Sequence, residues 1–171
     1  MELVLSDLEV THSVEFTDWI SNKEVVKYSL SAFLPDRDES WVRSFISSVK
    51  ENPTTWDKAI VCDGIVVGYC GLANLSKLNR SGEYYIMIGN PKYWNRGLGT
   101  LAGKKVLEYG FMELGLHRIW LTVSEFNYGG IKSYKNLGFI EEGRMKDACF
   151  RDKKFHDKIV MSKIEMGETK A

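Results

Sequence analysis

Cysteine is scarce in this chain: Cys62, Cys70 and Cys149 are an odd number, and no two form the close pair that a metal or disulfide framework would use. Cys62 and Cys70 fall inside apolar runs, where a free buried thiol is the ordinary outcome. Histidine is as sparse, at His12, His117 and His156, and too scattered to assemble a metal site. Net charge is missing as well. Lys plus Arg and Asp plus Glu both number 23, so the total gives no lead toward nucleic acid, a membrane surface or a polyanionic partner. No apolar run approaches membrane-spanning length, and Met1-Glu2-Leu3 lacks the charged-then-apolar pattern of a secretory leader. The chain reads as soluble and cytoplasmic. Nor does it contain a Ser/His/Asp or Cys/His constellation for nucleophilic catalysis.

What is present is a length of 171 residues, enough for one domain that buries roughly 70% of its unfolded surface. A short apolar strand over residues 3–5 precedes a first helix over residues 11–21, with Thr11 as its N-cap. Residues 25–30 read as a loop with some helical turn. Pro35-Asp36-Arg37-Asp38-Glu39 opens a second helix, Asp36 and Glu39 standing at capping-box spacing. Trp41, Phe45, Ile46 and Val49 mark its apolar face, and Pro53 prevents continuation. The period then changes to two. Residues 59–62 and 65–70 flank Asp63-Gly64 as a tight hairpin, and Asn79-Arg80-Ser81-Gly82 turns into a strand over 83–88. Two final strands follow, over residues 139–148 and 154–164, and residues 167–171 read as frayed.

The organising stretch is Met87-Ile88-Gly89-Asn90-Pro91-Lys92-Tyr93-Trp94-Asn95-Arg96-Gly97-Leu98-Gly99-Thr100. It reads as a strand end, a glycine loop and a helix start, with Leu98, Leu101, Ala102, Val106, Tyr109 and Met112 at helical spacing behind it. The helix closes at Gly115 in a left-handed cap, and residues 118–123 form the next strand, which implies a parallel pair with a right-handed crossover. A helix N-terminus carries backbone N–H groups without intrahelical partners and partial positive charge, so the loop suits a phosphate or pyrophosphate. No Gly-Lys-Ser/Thr ending makes it a nucleotide P-loop, and Ala102 and Gly103 stand where the dinucleotide fingerprint needs a third glycine.

About 30 residues on lies Asn127-Tyr128-Gly129-Gly130-Ile131-Lys132-Ser133-Tyr134-Lys135-Asn136-Leu137-Gly138-Phe139. Together with Gly97-x-Gly99, this resembles the GCN5-related N-acetyltransferases, whose second signature is an Asn, seven residues to a Tyr, then Gly-Phe. Pro91-x-Tyr93-Trp94 and the early Asp18-Trp19-Ile20 look most like the branch holding the ribosomal-protein alanine acetyltransferases, RimJ and RimL. The resemblance implies an α/β (α+β) domain over residues 1–171: a mixed, strongly twisted sheet of about seven strands, its two central parallel strands splayed apart.

It also implies acetyl-CoA in the splay, with the pyrophosphate on the amides of Arg96, Gly97, Gly99 and Thr100, next to Asn95. The pantetheine arm would pair with the strand edge at Met87 and Ile88, and Asn127 and Lys132 would also contact CoA. Two positions depart from the family pattern: Trp94 replaces a Gln or Arg, and Gly129 and Gly130 replace good helix formers. The implied catalytic residues are Tyr134, as the acid that protonates the departing thiolate, and Glu83, as the base. By spacing alone Tyr134 is a core tyrosine of an amphipathic helix and Glu83 a solvated strand glutamate. The acceptor amine is left open among a protein N-terminus, a polyamine, an amino sugar or aminoglycoside, and an amino acid. A homodimer is implied by resemblance only. A non-catalytic acyl-CoA-binding sensor is the alternative that keeps the cleft.

Overall fold

A computed structural model describes residues 2–28 and 36–165. Seven strands form one sheet in the order β1-β2-β3-β4-β5-β7-β6. They are β1 (Leu3–Asp7), β2 (Trp56–Cys62), β3 (Ile65–Ser76), β4 (Ser81–Ile88), β5 (Arg118–Ser124), β6 (Ile140–Arg151) and β7 (Lys154–Ile164). Helices α1 (Ser13–Ser21), α2 (Lys23–Val26), α3 (Glu39–Glu51), α4 (Leu98–Glu108) and α5 (Tyr128–Asn136) cover the two faces. Among the described residues no helix is long and apolar enough to cross a membrane.

All strand pairs are antiparallel except β4 and β5, so the sheet is mixed. That parallel pairing holds only for Ser81–Arg118, Gly82–Ile119 and Glu83–Trp120. Beyond Glu83, β4 stays with β3 and β5 stays with β7, and the two central strands part. The alternation of strand side chains divides the core. Tyr84, Ile86 and Ile88 join Leu72, Leu98, Ala102, Val106, Ile119 and Leu121 on the α4–α5 face. Tyr85 and Met87 join Phe16, Ile20, Val42, Ile46 and Tyr69 on the α1–α3 face. Full burial of each large apolar side chain contributes roughly 1.5–3 kcal/mol, so both faces bind the sheet to its helices.

The Asp63-Gly64 hairpin forms with both residues at positive φ, 48° and 79°, the geometry of a two-residue turn that matches strand twist. The helix starts differ from the sequence expectation. Thr11 caps nothing: a 3₁₀ turn over Val10–His12 precedes α1 and is capped by Glu9, whose backbone N–H donates to His12 Nδ1 at 3.1 Å. Asp38, not Asp36, caps α3 by accepting the Trp41 N–H at 2.8 Å, and Glu39 instead accepts from Ser13 Oγ at 2.7 Å. Three acidic residues within four positions offered several registers, and contact with α1 selected one. Residues 25–28 finish α2 and a turn, while Ser29, Leu30, Pro35 and residues 167–171 lie outside the described residues.

The far side of the sheet is tied by one ionic knot. Arg118 on β5 donates to both oxygens of Glu142 on β6, at 2.6 and 2.5 Å, and Ser162 on the intervening β7 donates at 2.6 Å. The Arg118 hydrogen bonds, followed by that of Ser162, hold the Glu142 carboxyl down to about 2, against an ordinary 4.5. A depressed carboxyl stabilises the fold above its ordinary value and ceases to do so as pH falls through the depressed one. Glu142→Gln is therefore expected to lower the melting temperature at pH 7, with the gap to wild type closing between pH 4.5 and 2. Thermal melts across that range check it, and a gap that persists at pH 2 contradicts it.

Candidate active site

The parting of β4 and β5 opens a cleft of about 780 Å³. Its walls are β4 from Glu83 to Ile88, Thr122 and Val123 of β5, the start of α4, α5 and the α2 segment carrying Glu24, Val25, Lys27 and Tyr28. At one end the loop before α4 places Asn95 at φ 59° and Gly97 at φ 78°. Gly97 is the N-cap, and the first intrahelical bond runs from the Leu101 N–H to its carbonyl at 3.0 Å. The N–H groups of Leu98, Gly99 and Thr100 therefore have no intrahelical acceptor and converge at the cleft end. Gly97 is needed for its backbone angle, since a Cβ there would meet nothing within 4 Å. Across the gap, Thr100 Oγ1 and Ser133 Oγ lie 3.0 Å apart and link α4 to α5.

Asn127 caps α5 by accepting the Gly130 N–H at 3.0 Å. Gly130 has a reason that is invisible in a propensity scale: a Cβ there would sit 2.7–3.0 Å from the Asn127 side-chain amide. Gly129 faces open space. On α5, Tyr134 lies with its ring 6.0 Å from those of Tyr84 and Phe139, and burial pushes its phenol up to about 12. Tyr134 is thus protonated at neutral pH, and its hydroxyl has no hydrogen-bond partner among the described residues. Tyr84 is different. Its hydroxyl is buried and unpartnered, and a Cβ on Gly103 would lie 3.0 Å from it. An unpaired buried hydroxyl is unfavourable, so Tyr84→Phe is expected to raise stability by about 1 kcal/mol. Urea unfolding checks this, and a loss of stability would mean the hydroxyl is satisfied.

Most of the residues singled out in the sequence line this one cleft: Glu83, Met87, Ile88, Asn95, Gly97, Gly99, Thr100, Asn127, Lys132 and Tyr134. Arg96 does not; its guanidinium lies 5.6 Å from the centre of the Tyr93 ring. Met87 reaches the cleft, but its backbone does not offer free groups there. Gly89 N–H donates to Val67 O at 2.9 Å, and backbone groups alternate between strand edges, so Met87 also faces β3. The free edge belongs to Ile86 and Ile88, and the Ile88 carbonyl accepts from Trp94 Nε1 at 2.8 Å. Ile86 escaped sequence reading because the strand register, not the residue type, decides it. Glu83 has its Oε2 held by Asn74 Nδ2 at 2.7 Å, Asn74 itself sitting at φ 50° in a β3 bulge.

The model of the acetyltransferase (GNAT) domain family matches residues 2–140. The chain belongs to that family. Among similar GNAT proteins is the spermidine N(1)-acetyltransferase of Escherichia coli K12, 33% identical over 102 residues that make up 60% of this chain and 54% of that one. The match thus spans about half the length of that relative. The uncharacterised N-acetyltransferase YnaD of Bacillus subtilis is 27% identical over 160 residues, 88% of this chain and 90% of that one. Among solved structures, a spermidine N-acetyltransferase from Vibrio cholerae in complex with CoA and spermine superposes with a TM-score of 0.87. It is 21% identical, and 95% of each chain is covered. That likeness establishes the GNAT fold of seven strands and flanking helices.

Proposed function

We propose that this chain is an N-acetyltransferase that moves an acetyl group from acetyl-CoA to a primary amine, and that the amine is a polyamine. The observation that carries the reading is that one cleft gathers the unpaired amides of Leu98, Gly99 and Thr100 at the start of α4 with Tyr134 and Glu83. The donor supplies an acetyl thioester whose carbonyl carbon the amine attacks, releasing CoA as its thiolate. The helix terminus fits a pyrophosphate, and the Ile86 backbone with the Ile88 N–H, on the edge that β5 leaves, fits the amides of a pantetheine arm. Lys132, exposed on the rim, supplies positive charge for a CoA phosphate.

Glu83 takes a proton from the acceptor ammonium, directly or through a water, which frees the neutral amine's lone pair to attack the thioester carbonyl, and Asn74 Nδ2 holds the carboxylate by donating to its Oε2. Tyr134 donates its proton to the thiolate. Among the described residues lining the cleft, the α2 and β4 segments contribute the carboxylates Glu24 and Glu83 and the cation Lys27, a balance that favours a positively charged acceptor. The spermidine acetyltransferases among the relatives support the same class. A protein N-terminus, the acceptor of the ribosomal-protein branch, is the competing amine, and a homodimer is the assembly this reading carries with it.

The test is release of CoA thiol from acetyl-CoA with spermidine, spermine, aminoglycosides, amino sugars and peptides with free N-termini. Selective turnover of spermidine or spermine is the expected result. Turnover of peptides alone would move the acceptor to a protein N-terminus, and acetyl-CoA binding without any turnover would leave a sensor. Glu83→Gln is expected to lower kcat by about 10²-fold or more while acetyl-CoA binding holds; a near-normal kcat removes Glu83 from the base role.

A further inference from the structure

Behind the acceptor side of the cleft lies a charged group that the acetyl transfer does not use. Asp57 on β2, Gly71 on β3 and Tyr85 on β4 stand in register across three strands. Gly71 has no side chain, and the Tyr85 ring lies across the gap. A Cβ at Gly71 would fall 2.3 Å from the Tyr85 hydroxyl and 2.9 Å from the ring carbon that bears it. The hydroxyl reaches over the glycine and donates to Asp57 Oδ1. Tyr69 donates to the same oxygen at 2.7 Å. Asp57 Oδ2 is buried and has no hydrogen-bond partner. Burial, above all, raises both phenols far from neutrality, so both remain donors.

Tyr85 lines the cleft together with Glu83, Glu24 and Lys27, whereas Asp57 does not reach it. A carboxylate shielded from water acts over several ångströms with little screening. Its nearest route to the cleft is the Tyr85 ring, which becomes more electron-rich when its hydroxyl donates to an anion. A ring of that kind attracts an ammonium against its face. We propose that Tyr85, backed by Asp57, is the specificity wall for a second positive charge on the acceptor, the ammonium that does not react. This rests on the polyamine reading above. It accounts for two otherwise unconnected features: the glycine at position 71 and two phenols on one carboxylate oxygen.

The test is calorimetric binding of spermidine, of propylamine as a single-charge amine and of acetyl-CoA to the full chain and its variants. Asp57→Asn is expected to weaken spermidine about tenfold, the scale of a desolvated cation–ring contact, and to leave propylamine and acetyl-CoA within about twofold. Tyr85→Leu should do the same, and Tyr85→Phe, which keeps the ring, should lose less than Tyr85→Leu. Spermidine binding unchanged in Asp57→Asn overturns the proposal. So does a parallel loss of all three ligands, which would mark a structural role. If Asp57→Asn does not fold, the Tyr85→Leu and Tyr85→Phe pair decides alone. A wild type that binds acetyl-CoA but no spermidine refutes the polyamine reading itself, and the wall with it.

Discussion

Tyr134→Phe is expected to lower kcat by about 10²-fold or more while leaving acetyl-CoA affinity within a factor of about two. The departing group is a thiolate, and general acid catalysis of such a departure is typically worth 10²–10⁴ in rate. On the proposed reading Tyr134 supplies that acid. The rings of Tyr84 and Phe139 fix it on α5, and burial raises its phenol to about 12, so the proton is present throughout the neutral range. Phenylalanine keeps the ring contacts and removes only the donor. Stability should therefore change little, because no protein group loses a hydrogen bond. Steady-state kinetics with titration of acetyl-CoA binding separates the outcomes. A near-normal kcat would return Tyr134 to the status of a core aromatic, and equal losses in kcat and acetyl-CoA affinity would indicate distortion of the cleft instead.

The parts of this molecule written in local sequence were legible. Asp63-Gly64 dictated a hairpin because few other pairs adopt two positive φ angles, and Gly115 marked a helix end for the same reason, at φ 62°. The glycine loop and the Asn127-to-Phe139 segment pointed to one cleft through the family they resemble, and each is a short continuous stretch of chain. What local sequence could not show depends on register between distant strands. Asp57 and Tyr85 are 28 residues apart, and only the pairings of β2 with β3 and β3 with β4 bring them together. The choice of Ile86 over Met87 as a free edge is likewise a matter of which edge faces β3. The caps were missed for a milder reason: Asp36 and Asp38 are equivalent by propensity, and the packing of α3 on α1 chose between them.

Gly89 shows how tightly that packing is bound to the cleft. It follows β4 immediately, and its N–H is held by Val67 O at 2.9 Å, so its backbone cannot move without releasing β3. A Cβ at this position would lie 2.0–2.6 Å from three ring atoms of Trp19, deep inside contact distance. Trp19 is buried at 6% exposure on α1 and packs against Phe16 with ring centres 5.6 Å apart, so the ring has nowhere to retreat. Gly89→Ala adds one methyl group yet must displace either α1 or the end of β4. The expected loss is about 3 kcal/mol, the upper end of what overpacking costs. For a domain of this size it corresponds to a melting temperature lower by roughly 6–12 °C. Thermal melts of Gly89→Ala, Trp19→Leu and the double variant decide the cause. If the clash is the mechanism, the double variant is more stable than the sum of the two single losses requires, because the smaller leucine vacates the space that the methyl group takes. Strict additivity would place the cost in the backbone instead. Gly89→Ala should also weaken acetyl-CoA binding, because displacing this residue shifts Ile88, whose free edge forms one wall of the cleft.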